Sequence, residues 1–172
     1  MKLILLAGLA VLVLVIGAVA GIGAMLPKGH TASRTVRFAR PAEEVWRAIT
    51  DFPAQTAWRG LRKVERLPDQ NGHEVWKETG AGGDALVLET VEAQPPGRLV
   101  RRIADPSLPF GGSWTYELKP ETGAASPGTS LTITENGEVY NPVFRFISHF
   151  FMDQAATIEQ YQAALGRKLD AR

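Results

Sequence analysis

The fold of this chain is decided by residues 141–169, which read NPVFRFISHFFMDQAATIEQYQAALGRKL. Apolar side chains recur there at the intervals of one helix face: Val143, Ile147, Phe150, Ile158, Tyr161 and Leu165. Asn141 is a residue type that caps the free amides of a first helical turn, and Pro142 suits the first helical position. The pattern predicts one long helix from Pro142 to Leu169, with an apolar face broad enough to build a core.

Turn residues divide most of the chain before this helix into short segments that have the pattern of strands. After the alternating strand Ser33–Ala39, Pro41 opens a short helix and Gln55–Arg59 forms a second helical segment. Short apolar runs bounded by turn residues then predict six more strands: Leu61–Leu67, His73–Thr79, Ala85–Ala93, Arg98–Ala104, Gly112–Lys119 and Thr129–Tyr140. Strands without crossover helices pair antiparallel. We therefore predict an α+β fold in which a curved antiparallel sheet of about seven strands wraps around the C-terminal helix.

The N-terminal segment is apolar from Leu3 to Leu26, without one charged side chain. This length crosses the hydrocarbon core of a bilayer, so we predict a single transmembrane helix. The alternative is a cleaved secretory signal, because Ala18-Val19-Ala20 has the small-x-small form of a cleavage site. The predicted organisation is a transmembrane anchor (1–27), a linker (28–32) and one domain (33–172). Counting Lys and Arg on both sides favours a cytoplasmic domain, with a periplasmic domain as the alternative.

The composition excludes several classes of function. Lys and Arg number 19 against 18 Asp and Glu, so there is no basic field of the kind that nucleic-acid binding requires. The chain contains no cysteine, which removes disulfides, thiolate nucleophiles and cysteine-based metal sites. The three histidines, His30, His73 and His149, are scattered over different predicted elements. We expect neither a metal nor a cofactor.

Large aromatic side chains on the inner faces predict a cavity between the sheet and the helix, since such walls with a few polar groups are typical of small-molecule sites. Nine residues are the predicted ligand-binding set: Trp76, Glu78, Arg101, Phe110, Trp114, Tyr116, Phe144, Ile147 and Phe151. The alternative interpretation is that the aromatic residues simply pack as core.

Glu78 is the candidate catalytic residue. It shares a strand face with Trp76, so both point inward or neither does, and Arg101 or Arg102 is its predicted partner. Burial raises the pKa of a carboxyl group and would suit Glu78 for proton transfer to a carbonyl-bearing ligand. The alternative is an ion pair at a solvated edge. Glu135 and Glu138, near the end of the last strand, are further candidates of the same kind.

Several segments together resemble a known superfamily. They are Arg34–Phe38 (RTVRF), Pro41–Trp46 (PAEEVW), Asp51-Phe52, Gly112–Leu118 (GSWTYEL) and Glu138–Arg145 (EVYNPVFR). In this order, with a hairpin-rich middle and a closing helix, they resemble the SRPBCC superfamily, the helix-grip group of START-related lipid-transfer domains, ring-hydroxylase substrate domains and polyketide cyclases. The chain looks most similar to small, membrane-anchored bacterial members described as polyketide cyclase/dehydrase or lipid-transport proteins.

The resemblance implies a helix-grip fold with two short helices after the first strand, but it implies no single activity, because the superfamily includes both binding proteins and enzymes. We predict a membrane-anchored module that binds a hydrophobic small molecule, such as a lipid or a polyketide-like or isoprenoid-like compound. One alternative is an enzyme of cyclase or dehydratase type that uses cavity carboxylates. The other is a structural or partner-binding domain whose pocket has collapsed.

Overall fold

In the computed structural model, which describes residues 2–121 and 128–170, the strands form one sheet. They are β1 (Gly29–Phe38), β2 (Leu61–Gln70), β3 (His73–Gly80), β4 (Ala85–Gln94), β5 (Arg98–Ile103), β6 (Phe110–Glu121) and β7 (Gly128–Val139). The α-helices are α1 (Lys2–Met25), α2 (Ala42–Thr50), α3 (Pro142–Phe151) and α4 (Ala156–Asp170). A short 3-10 helix, Pro53–Ala57, follows α2.

The sheet has the strand order β1-β7-β6-β5-β4-β3-β2, and every neighbouring pair is antiparallel. Strands β2 to β7 therefore follow one another in space as they do in sequence, as the turn residues predicted. The loop of Gly80 to Gly83 closes the β3–β4 hairpin, with Gly83 at a φ of 95° that glycine adopts without strain. The predicted α+β helix-grip class, with two short helices after the first strand, is confirmed.

The two faces of the sheet differ in chemistry. On the outer face, hydroxyl pairs between β1 and β7 bond directly, for example Ser33 with Thr134 and Thr35 with Thr132. The inner face is apolar and packs against α2 and α4. The core residues of this layer are Phe38, Val45, Ile49, Leu99, Tyr116, Leu118, Leu131, Ile133, Ile158, Leu165 and Leu169. Removing this apolar area from water is the main stabilising contribution to the fold.

The predicted single closing helix is wrong: the segment forms two helices. Helix α3 is capped as expected, with the Asn141 side chain accepting a hydrogen bond from the Phe144 amide at 3.0 Å. It stops at Met152, whose φ and ψ of −110° and 134° are extended. The Asp153 carboxylate then accepts a hydrogen bond from the Ala155 amide at 2.9 Å, just before α4 begins. This Asx turn gives the backbone a local alternative to helix continuation at the break.

The two helices also bury different faces against different partners. Helix α4 lays Ile158 and Leu165 on the sheet, whereas α3 packs against α1 and buries Arg145 and Ser148. A strand boundary also differs from the prediction. Strand β1 begins at Gly29 rather than Ser33, because residues 29–32 already pair with β7.

Helix α1 is the remaining element, and its apolar residues are mostly exposed. Residues Ile4–Met25 are long and apolar enough to cross a membrane, a property that a secretory signal shares.

The core predicts a measurable cost for truncating α4. Leu165 is 0% exposed within the apolar cluster, so Leu165→Ala removes its buried contacts and leaves a cavity. We expect a loss of about 2–5 kcal/mol in the free energy of unfolding, measured by chemical denaturation of the detergent-solubilised protein. The control Arg167→Gln changes an exposed residue of the same helix and should leave the transition where it is. An equal effect of both variants would contradict the packing described.

Candidate functional site

A cavity of about 460 Å³ lies between the concave face of the sheet and α4. Its apolar wall comes from strand residues and from one side of the helix: Leu61, Leu86, Leu88, Trp114, Tyr116, Ile133, Ile158, Tyr161 and Ala164. Its polar lining consists of Arg59, Glu78, Asp84, Arg101, Thr157 and Gln160. The volume falls in the range of about 300–1,000 Å³ typical of small-molecule pockets.

The polar end of the cavity is built around Glu78 on β3. Its carboxylate accepts a hydrogen bond from Arg59 at 2.8 Å and a second from Arg101 on β5. Glu78 is 5% exposed and Arg101 is 3% exposed, so this ion pair is shielded from water. Gln55 orients Arg59: its side-chain oxygen accepts from the Arg59 guanidinium at 2.6 Å, while its amide nitrogen donates to the Ile49 carbonyl.

The two guanidinium groups fix the protonation state of Glu78. Burial alone raises the pKa of this carboxyl, but the charges and hydrogen bonds of Arg101 and Arg59 outweigh burial and hold the pKa below its usual value. The expectation of a raised pKa at Glu78 is therefore wrong. Near neutral pH this residue is a carboxylate, which has no proton to donate.

Arg101 has donors that its partner Glu78 does not use. Its Nη1 atom bonds to Glu78, whereas Nε and Nη2 are buried and have no hydrogen-bond partner among the described residues. The Phe52 ring packs against the guanidinium, with the Arg101 Cζ atom 4.1 Å from the ring centroid. Unpaired buried donors are costly, at about 1–3 kcal/mol or more. Arg101, which lines the cavity, thus has two donor nitrogens that no described protein group uses.

Two phenols lie beside this charged cluster. Tyr116 on β6 and Tyr161 on α4 meet edge to face, with ring centroids 5.6 Å apart, and Arg59 stacks over the Tyr161 ring. Burial raises the pKa of both hydroxyl groups, for Tyr161 well above the ordinary value. Both side chains are therefore neutral and can donate or accept a hydrogen bond. Because they carry no charge, the cluster of Arg59, Arg101 and Glu78 has one more positive than negative group.

A second polar group lies farther along the cavity. The Trp114 indole donates to the Glu135 carboxylate at 2.8 Å, and Thr157 of α4 donates to the same oxygen at 3.2 Å. His30 Nε2 is 3.5 Å from the other oxygen of Glu135. These contacts tie β1, β6, β7 and α4 together, so Glu135 is occupied as a structural acceptor.

The predicted ligand-binding residues separate into two groups. Glu78, Arg101, Trp114 and Tyr116 all line the cavity, and their role in binding stays a prediction. Trp76 shares the inner face with Glu78, as predicted, but packs on Phe52 at 5.6 Å between centroids and is not part of the lining.

The other four predicted residues lie away from the cavity. Phe110 and Phe144 pack on each other at a centroid distance of 6.5 Å, and Phe110 borders a separate groove of about 960 Å³ at the end of the sheet. Ile147 and Phe151 are on α3 and are exposed. Their displacement follows from the helix break, since α4 packs on the concave face whereas α3 packs against α1.

Sequence reasoning also missed lining residues. Arg59 follows the 3-10 helix, and no periodic pattern indicates that a loop side chain reaches β3. Tyr161 and Ile158 were recognised as apolar positions of the closing helix but not as cavity wall, because the stripe does not reveal where packing is incomplete. Leu86, which pairs with Glu78 across the β3–β4 hairpin, was predictable from strand alternation.

The sheet, the helix that it grips and the cavity between them define a helix-grip protein of SRPBCC type. Residues 29–168 match the family model described as polyketide cyclase / dehydrase and lipid transport. Because this match spans most of the chain, the protein belongs to that family. Among curated protein sequences, none matches the chain significantly.

Solved structures with the same fold come from several organisms. Norcoclaurine synthase from Thalictrum flavum is 10% identical, with 84% of this chain and 95% of that chain covered and a TM-score of 0.63. The Zhui aromatase/cyclase from Streptomyces sp. R1128 is 14% identical, with 84% and 95% covered and a TM-score of 0.61. A protein from Mesorhizobium loti is 19% identical, with 82% and 97% covered and a TM-score of 0.60. At these identities the likeness shows the fold alone.

The ion cluster predicts a specific response to Glu78→Gln. This change leaves two guanidinium groups without their buried counter-charge, so we expect a loss of about 3–5 kcal/mol in the free energy of unfolding. Because folding lowers the pKa of Glu78 from its ordinary value of 4.5, the carboxylate stabilises the fold above that pH. This contribution disappears as the pH falls below 4.5, so the wild type and Glu78→Gln should converge in stability at low pH.

Denaturation midpoints from pH 7 down to pH 3 measure this convergence. The control is Glu65→Gln, which removes a carboxylate from the exposed pair with Lys63 and should change the midpoint little. A constant difference between wild type and Glu78→Gln at all pH values would contradict an ionised, paired Glu78.

Proposed function

We propose that the protein is a membrane-tethered binding protein for an amphipathic small molecule. The apolar body of this ligand lies between the sheet and α4, and the oxygen-bearing head of the ligand accepts hydrogen bonds from Arg101. The observation that carries the proposal is the pair of unused, buried Arg101 donors in an otherwise largely apolar cavity.

The walls of the cavity support an apolar body for the ligand. Leu86 and Leu88 of β4, Ile133 of β7 and Ile158 of α4 contribute aliphatic surface, and Trp114 contributes a flat ring. Apolar surface that is already assembled around a void gains contacts when an apolar group fills it. A lipid chain or a fused-ring compound provides such a group.

The charge of the polar end supports an anionic or strongly accepting head. Two arginines face one carboxylate there, and the neighbouring tyrosines stay neutral. A carboxylate or a phosphate oxygen can accept hydrogen bonds from the Arg101 nitrogens that have no partner among the described residues, and guanidinium groups match these planar or multidentate acceptors well. An enolate or ketone oxygen is a weaker acceptor of the same type.

The two alternative functions have less support. A collapsed pocket requires a filled interior, whereas a cavity of about 460 Å³ lies under α4. A cyclase or dehydratase that relies on a carboxylic acid requires a protonated group, whereas Glu78 is held as a carboxylate. The family description includes lipid transport beside cyclases and dehydrases, and a binding role for a lipid-like molecule agrees with it.

Photo-crosslinking tests the proposed contact with Arg101. The full-length protein in lipid nanodiscs is irradiated with a long-chain fatty acid carrying a diazirine near its tail, or with the corresponding primary alcohol. We expect the acid to label cavity peptides, and Arg101→Met to reduce this labelling about tenfold, because a hydrogen bond to a charged group contributes about 1.5–3 kcal/mol. Labelling by the alcohol should change much less.

Arg102→Met is the matched control, because Arg102 also pairs with a buried glutamate, Glu89, but lies on the opposite face of β5 and does not line the cavity. Arg101→Lys keeps the charge with a different donor geometry and guards against misfolding of Arg101→Met. Equal loss of acid labelling in the Arg101 and Arg102 variants, or labelling confined to surfaces outside the cavity, would contradict the proposal.

The tether is supported by contacts between α1 and the domain. The Arg145 guanidinium, 6% exposed, donates to the carbonyls of Gly23 at 3.1 Å and Leu26 at 3.2 Å, where α1 ends. The same side chain donates to the carbonyls of Val139 and Tyr140. A cation that satisfies the free carbonyls of a helix C-terminus is stabilising. Gly23 allows this approach, since a Cβ atom there would lie 1.9 Å from the Pro142 oxygen.

These contacts predict that α1 is retained in the mature protein. Intact mass spectrometry of protein purified from the membrane fraction of a bacterial host should give a chain that includes α1. A version in which a known cleavable secretory signal replaces α1 serves as the processing control. A mature chain that begins at Gly21, after the small-x-small site, would show that α1 is a removed signal.

A further inference from the structure

Helix α3 has its polar and apolar sides reversed relative to a helix of a soluble domain. The side chains that it buries are Arg145 and Ser148, at 6% exposure each. Apart from His149, the exposed residues of the helix are apolar: Ile147 is 42% exposed, Phe150 55% and Phe151 76%. Amphipathic helices on soluble domains turn their apolar stripe to the core, so this arrangement does not suit a helix in water.

The exposed apolar surface of α3 is contiguous and largely aromatic. Phe146 contacts Phe150 at 4.9 Å between ring centroids and Phe151 at 6.3 Å, and Met152, 52% exposed, extends the surface past the helix end. Contiguous exposed apolar patches of this kind mark protein or membrane contact sites.

The position of α3 selects between these two occupants. Its first turn contacts the end of α1 at Gly23, and α1 carries exposed apolar side chains down to Met25, which is 88% exposed. The apolar surface of α3 therefore continues the apolar surface of α1. Next to it are exposed residues of the types found at membrane interfaces, Tyr140 and Lys28.

We propose that α3 is an interfacial helix that lies in the headgroup and upper acyl region of the bilayer, with Ile147, Phe150 and Phe151 facing the lipid. The proposal rests on the membrane tether proposed above. An apolar helix face of this kind enters a membrane by about 5–10 Å. Arg145 then joins the spanning helix, the interfacial helix and β7 into one unit, so the domain has a fixed orientation on the membrane.

Site-directed spin labelling tests this placement in the full chain, which has no cysteine of its own. Single variants Leu14→Cys in α1, Phe151→Cys in α3 and Lys63→Cys in β2 carry a nitroxide in nanodiscs of phosphatidylcholine and phosphatidylglycerol. Collision rates with oxygen, which concentrates in lipid, and with a nickel chelate, which stays in water, report the depth of each label. Phe151 and Lys63 are both exposed, so neither change removes core packing.

We expect several-fold more oxygen than nickel collisions at Leu14→Cys, the reverse at Lys63→Cys, and a lipid-like ratio of smaller size at Phe151→Cys. A lipid-like Leu14 label with a water-exposed Phe151 label would overturn the interfacial placement alone. A Phe151 label shielded from both reagents would show a protein occupant and overturn it as well. A water-exposed Leu14 label would overturn the tether and the interfacial helix together.

Discussion

The structure depends on one geometric constraint: apart from the area that α2 covers, the concave face of a seven-stranded antiparallel sheet packs against one helix, α4, of 15 residues. The sheet curves to meet this helix, and Leu165 and Leu169 close the contact at one end. A helix is narrower than the sheet that surrounds it, so space remains where side chains are too short to meet. The cavity is that space, and its location follows from the fold before any ligand is considered.

The buried charges then decide what the cavity suits. Arg101 on β5 and Arg59 after the 3-10 helix both hold Glu78, and this arrangement keeps the carboxylate ionised. Breaking such a buried cluster is costly, so its members act first as a rigid polar wall. Arg101 is the exception because part of its guanidinium has no hydrogen-bond partner within residues 2–121 and 128–170. Donor nitrogens held on a rigid wall favour the binding of an acceptor group. They do not supply a group that transfers protons.

The order of elements was predictable because turn residues and strand alternation are local properties. Strand alternation predicted Glu78 on the same face as Trp76 and an arginine of β5 as its partner, but it left Arg101 and Arg102 as alternatives, and the structure pairs Glu78 with Arg101. The break between α3 and α4 was not, because apolar spacing continues up to Phe151 and does not reveal what covers those residues. Ile147 and Phe151 were assigned to the ligand on this basis. An apolar stripe shows that a helix face is covered from water. It does not show whether the protein core, a ligand or lipid covers that face.

The cavity under α4 is proposed to hold an amphipathic molecule. Native mass spectrometry of the full-length protein, ejected directly from nanodiscs prepared from the host membrane, tests it most directly. We expect the wild type to carry one bound species of defined mass per chain, with an acidic or strongly accepting head. This species should be absent from Arg101→Met and present in Arg102→Met. A clean apo mass for the wild type, or the same species retained by both variants, would contradict the account.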